Sequence, residues 1–181
     1  MSSKPGTYTL GPDDGTLSVR TGRTGAAAKA GHDLVIHVTT WEATLRLGDT
    51  PQDTGLELEA DATSLHVREG TGGMQSLGDD DKADIRTTIH DDVLKGRAIA
   101  FRSTEVTGAD GRLSVQGELT LAGTTRPLAF DLALGDDGRV TGTAVVKQSD
   151  WGIKPYSALF GALKVADEVR VEIDAALPQS R

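Results

Sequence analysis

The chain has no cysteine in 181 residues. That absence removes disulfide frameworks, thiolate metal sites, iron–sulfur clusters and a cysteine nucleophile, and leaves the redox compartment open. Aromatic residues make up only 4%. Few large side chains are therefore available to plug a β-rich interior, a composition compatible with an internal cavity. No apolar run approaches the ~20 residues that a membrane-spanning helix needs. Met1 to Leu10 also lacks the apolar core of a secretory signal, so the sequence as it stands reads as cytoplasmic. Runs of Lys and Arg are missing too: 27 acidic residues face 19 basic ones, for a formal charge of −8. Such a surface repels phosphate backbones and anionic headgroups, so nucleic acid is not an expected partner.

Against those absences stand 22 glycines and 21 threonines. That density disfavours long helices and suits short strands joined by tight turns. Alternation supports this. Tyr8 and Leu10 are followed, beyond Pro12-Asp13-Asp14-Gly15, by Leu17 and Val19. Leu34, Ile36 and Val38 share one face, and Trp41, Ala43, Leu45 and Leu47 continue on the opposite parity. The switch predicts a bulge or bend at Thr39-Thr40. Further runs hold Leu56 to Ala62, Ile99 to Val106, Leu113 to Leu121, Leu128 to Leu134, Val140 to Val146 and Val169 to Leu177. Turns fall at Gly108-Ala109-Asp110-Gly111, Gly123-Thr124-Thr125-Arg126-Pro127 and Asp136-Asp137-Gly138. About eight strands at short spacing predict an all-β, antiparallel barrel or sandwich. No linker or repeat interrupts the chain, so residues 1–181 are expected to form one domain.

One segment departs from the alternation. Asp79-Asp80-Asp81-Lys82 precedes Ile85, Ile89 and Val93 at helical spacing, with Gly96 just beyond. Acidic residues in the first turn and glycine past the last predict an inserted amphipathic helix over about 80–95. A second stripe, Tyr156, Leu159, Phe160 and Leu163, fits a helical turn or a lid.

Candidate chemistry is sparse. Of the four histidines, His32 and His37 are separated by an odd number of residues, which puts them on opposite faces of a regular strand; no metal site is expected. His90 stands among Asp91 and Asp92 on the wet face of the predicted helix. His32, in Gly31-His32-Asp33-Leu34, sits where loop becomes strand. It is either a polar handle at a cavity mouth or a turn histidine satisfied locally. Glu69-Gly70-Thr71-Gly72-Gly73 lacks the lysine and the strand-to-helix frame of a phosphate loop and reads as a flexible turn. No Gly-x-Ser-x-Gly elbow is present, so a hydrolase triad has no base to stand on. The carboxylate pairs fall in turns and helix ends, where solvation explains them.

Three strings carry a resemblance. Gly117-Glu118-Leu119-Thr120-Leu121-Ala122-Gly123-Thr124-Thr125-Arg126-Pro127, followed by Leu128 and Phe130, resembles the Gly-x-Leu-Thr-x-x-Gly-x-Thr-x-Pro hairpin of the YceI-like family. Ile99-Ala100-Phe101-Arg102-Ser103-Thr104 and Gln148-Ser149-Asp150-Trp151-Gly152-Ile153 resemble neighbouring strands of that family. The resemblance implies a lipocalin-like, antiparallel barrel of about eight strands with helical cover and an elongated apolar pocket. It also implies non-catalytic binding, transport or storage of an amphipathic lipid, either a long-chain isoprenoid or a fatty-acyl molecule, without a cofactor. On that reading Phe101, Leu119, Phe130, Val146, Trp151, Tyr156 and Phe160 line the tunnel, with His32 near its polar end. Two other readings stay open: a small isomerase- or cyclase-like enzyme using His32 and Asp33 as an acid–base pair, and a ligand-free, stress-related barrel with a filled interior. A homodimer also stays open.

Overall fold

The computed structural model describes residues 3–73, 76–158 and 163–178. Alternating apolar and polar residues become two-faced strands over most of that length. In chain order these are β1 (Gly6–Leu10), β2 (Gly15–Arg20), β3 (Arg23–Thr24), β4 (Asp33–Val38), β5 (Trp41–Leu47), β6 (Gly55–Ala60) and β7 (Leu65–Thr71). Beyond the helix α1 (Asp79–Thr88) come β8 (Ile99–Ala109), β9 (Arg112–Leu121), β10 (Thr124–Leu134), β11 (Arg139–Lys147), β12 (Ser157–Ala158), β13 (Leu163–Val165) and β14 (Glu168–Ala176).

Eleven of these strands, not about eight, form one sheet in the order β1-β5-β6-β8-β9-β10-β11-β14-β2-β4-β7, curled into a half-barrel. A separate small sheet, β12-β13-β3, lies in order beside it. The alternating runs account for ten of the eleven, and the missing one is β7. β7 shows only Leu65 and Val67 in alternation before Arg68-Glu69-Gly70-Thr71, so it carries almost no pattern; Gly70 and Thr71, expected in a turn, end that strand. The small-sheet strands are too short to show alternation. Ser157 and Ala158 are extended where a helical turn or a lid was expected, and Phe160 lies outside the described residues.

The bend predicted at Thr39-Thr40 closes the curl. β4 pairs with β7 at one end of the sheet, while β5, its direct continuation, pairs with β6 near the other. One bent hairpin thus spans both ends. Its two bends are tied by Thr39 N–H donating to the Ser64 carbonyl at 2.9 Å and Asp61 N–H donating to the Thr40 carbonyl at 3.0 Å.

The turn chemistry follows the sequence closely. Asp110-Gly111 and Ala122-Gly123 have φ values of 53, 78, 48 and 81°. Two-residue hairpin loops with left-handed residues at both positions match the twist of the flanking strands. The second turn is shorter than expected, so Thr124 to Pro127 belong to β10. Pro127 pairs with Glu118 of β9, and β10 meets β11 only over Asp131–Leu134. A residue without an N–H is tolerated there because that side of β10 has no ladder to feed.

The expected helix is present. Asp81 accepts from the Gly78 N–H at 2.9 Å, capping α1. From Ile89 to Val93 the coil widens to a π turn, and the chain reverses at Gly96, φ +63°. Arg86 donates to the Thr63 carbonyl at 3.1 and 2.8 Å, fastening the helix to the bend of the hairpin.

Candidate ligand cavity

The inward faces of the sheet do not meet. They enclose a cavity of about 550 Å³, within the range typical of small-molecule sites. Val140, Gly142, Ala144 and Val146 of β11 run along one wall. The six steps from Val140 to Val146 at ~3.3 Å each make that wall roughly 20 Å long. Leu17, at the start of β2, lines it well away from Arg23, and Ile85 of α1 and Ile89 of the π turn line it from the helical segment.

Two features keep the space open. β10 and β11 diverge beyond the Asp131–Thr143 pair, so the wall there is not a continuous ladder. Small residues also stand where larger ones would fill the void. Ala144 is buried and lines the cavity with only a methyl group. Gly117 serves packing instead. A Cβ there would collide with the Arg102 carbonyl and come within 2.5 Å of Phe101 Cζ. Its absence lets Phe101 and Phe130 meet, with ring centroids 5.1 Å apart and planes tilted by 58°.

Phe101, Leu119, Phe130, Val146, Tyr156 and His32 all line this one cavity. Phe101, Leu119 and Val146 are buried, Phe130 is half-buried, and Tyr156 stands at the rim with 53% of its surface exposed. Trp151 is placed differently from the expectation. It is buried but not among the lining residues, and its Nε1–H donates to the Leu119 carbonyl at 2.8 Å. Trp151 ends a 3-10 turn, Gln148–Trp151, rather than standing on a strand of the wall. That turn is anchored by Asp167, which accepts from the Ser149 N–H at 2.8 Å and the Ser149 hydroxyl at 2.5 Å.

Polar groups gather around Arg23 and His32, between the end of β2 and the start of β4. Arg23 lines the cavity together with His32. Its Nη1 donates to the Gly31 carbonyl, and its Nε lies 3.5 Å from Asp33 Oδ1. Asp33 therefore meets Arg23. The segment Gly70 to Gly73 has a packing role here. A side chain at Gly72 would collide with the Arg23 guanidinium, and one at Gly73 would come within 2.5 Å of His32 Nε2. A side chain at Gly70 would strike Leu77. Nothing in the spacing of Arg23 marked it, whereas the glycine run was a visible signal without a visible purpose.

Perturbed carboxyls lie outside the cavity. The hydrogen bond from Arg139, reinforced by its charge, holds the Asp174 carboxyl below the usual range. The Ser149 hydroxyl does the same for Asp167, and the Thr63 hydroxyl for Asp61. Among the described residues no group of three or more His, Asp or Glu is placed to hold a metal ion. Among the described residues no helix is long and apolar enough to cross a membrane.

The sequence profile of the YceI-like domain matches residues 8–177. A search of curated proteins finds no match. Among solved structures, BcnA of Burkholderia cenocepacia is similar with a TM-score of 0.61 at 14% identity, over 87% of this chain and 94% of that one. The YCEI protein of Campylobacter jejuni is similar with a TM-score of 0.53 at 15% identity, over 77% of this chain and 82% of that one. A mutant of the latter, solved with a monobromobimane guest structure, is similar at a TM-score of 0.54 and 15% identity. At these identities the likeness carries the fold.

Proposed function

This chain belongs to the YceI-like family, and from that premise we propose that it is a non-catalytic binder, carrier or store of a long-chain isoprenoid or fatty-acyl lipid. One observation carries the reading: an interior cavity of about 550 Å³ walled by aliphatic and aromatic side chains. Removing an alkyl chain from water gains ~0.8 kcal/mol per buried CH₂, which needs no catalytic group. Phe101, Leu119, Phe130 and Val146 then contact the chain, and Tyr156 and His32 stand near its head. The acid–base alternative has less support, because Asp33 is engaged with Arg23.

Native mass spectrometry of freshly purified protein, with organic extraction, tests the proposal. The expected result is a discrete added mass that extracts as one isoprenoid or acyl species. A clean mass that takes up nothing from a lipid extract would overturn it.

A further inference from the structure

Among the described lining residues of the cavity, those of fixed charge are Arg23, Lys164 and Asp84. Successive strand residues alternate faces, so Lys164 turns away from the face that Val165 presents, and Arg23 is the cation placed on the cavity side. β3 pairs with β13 so that Arg23 stands opposite Val165, and Lys164 opposite Thr24. Directly opposed residues share a face of a sheet, and Val165 lines the cavity with Arg23. The guanidinium is held from behind, with Nη1 on the Gly31 carbonyl and Nε towards Asp33 at 3.5 Å. Among the described residues Nη2 has no acceptor. Gly72, without a side chain, leaves room for it.

We infer that the occupant is a single-chain molecule of about 16–20 carbons with a carboxylate head, lying with that head against Arg23 and its tail towards Leu17. The inference rests on the lipid-binding reading and adds head charge, orientation and length. The length follows from volume. A water-sized group takes about 30 Å³, so 550 Å³ receives roughly 18 such groups, and a chain twice as long would project from the mouth. The head follows from charge. Arg23 offers a positioned donor whose hydrogen bond to a carboxylate is charge-assisted. Asp33 and Asp84 disfavour a second negative charge, so a singly charged head fits better than a diphosphate.

The test is displacement of N-phenyl-1-naphthylamine, a neutral fluorescent probe, from delipidated protein by hexadecanoate, hexadecanol and hexadecylamine. Hexadecanoate is expected to compete best and hexadecylamine worst. R23Q should weaken hexadecanoate about tenfold and leave hexadecanol unchanged, since a hydrogen bond to a charged group is being removed. R23K, which keeps the charge but not the fork, should fall between. Because acid and alcohol are compared in the same variant, partial unfolding of R23Q would lower both equally. Equal competition by acid and amine, or an R23Q variant that keeps its full probe capacity and competes with hexadecanoate as well as wild type does, would overturn the head assignment while leaving the apolar cavity in place. Docosanoate binding as tightly as hexadecanoate would overturn the length limit. If no compound displaces the probe, the lipid-binding reading fails and the inference with it.

Discussion

Replacing Ala144 by leucine separates a hollow interior from a packed one. Ala144 lies on β11 between Gly142 and Val146, faces the cavity, and is buried. The substitution adds three carbon atoms. At ~0.8 kcal/mol per buried CH₂ they contribute about 2.4 kcal/mol. Fixing the leucine rotamer costs about 0.5–1 kcal/mol, leaving a gain of roughly 1.5 kcal/mol. For a chain of this length 1 kcal/mol moves Tm by about 2–4 °C, so A144L should melt roughly 3–6 °C higher when delipidated. It should also bind less N-phenyl-1-naphthylamine, because it occupies part of the same space. In a filled barrel the same change forces neighbours off their rotamers and costs about 1–3 kcal/mol. Scanning calorimetry of delipidated wild type and A144L decides between the signs. A lower Tm for A144L would refute the claim that empty space lies against β11.

Trp151→Phe removes the donor to the Leu119 carbonyl and should cost about 1–3 kcal/mol in urea unfolding, with probe uptake per folded molecule unchanged; lost uptake at unchanged stability would place the indole on the ligand. Gly117→Ala drives a methyl against the Arg102 carbonyl and Phe101. It should lower stability by about 1–3 kcal/mol and change the near-ultraviolet dichroism of the Phe101–Phe130 pair, and an unaltered spectrum would contradict the packing given to Gly117. The carboxyls of Asp174 and Asp167 are held below their ordinary values by Arg139 and Ser149. Their contribution is therefore present above about pH 4 and lost as pH falls through the lower folded values. D174N should flatten the acid limb of a urea-midpoint profile below about pH 4 without altering its slope near neutrality, a small effect because the pair is exposed to screening. An unchanged acid limb would remove Asp174 from that role.

The fold was legible where pattern and constraint coincide. Period-two alternation located the long strands, and the parity switch at Thr39-Thr40 located the bend on which closure of the curl depends. Asp79 to Asp81 and Gly96 bracketed the helix, although its last turn widens at Ile89. β7 was hidden because charge and glycine follow Val67 at once, and its place is set by pairing with β4. Parity showed which residues share a face but not which face is inside; the resemblance suggested Phe101, Leu119, Phe130 and Val146, and all four line the cavity. Trp151 escaped that logic because it sits in a turn, where no alternation fixes direction. Arg23 escaped as well, since its position depends on β13, more than a hundred residues away.

Calorimetric titration of delipidated protein with hexadecanol, at two temperatures, tests the central claim most directly. One equivalent should bind saturably, with a negative heat-capacity change from burial of apolar surface. Heats that do not saturate, or a stoichiometry far from one, would contradict a single-chain cavity of about 550 Å³.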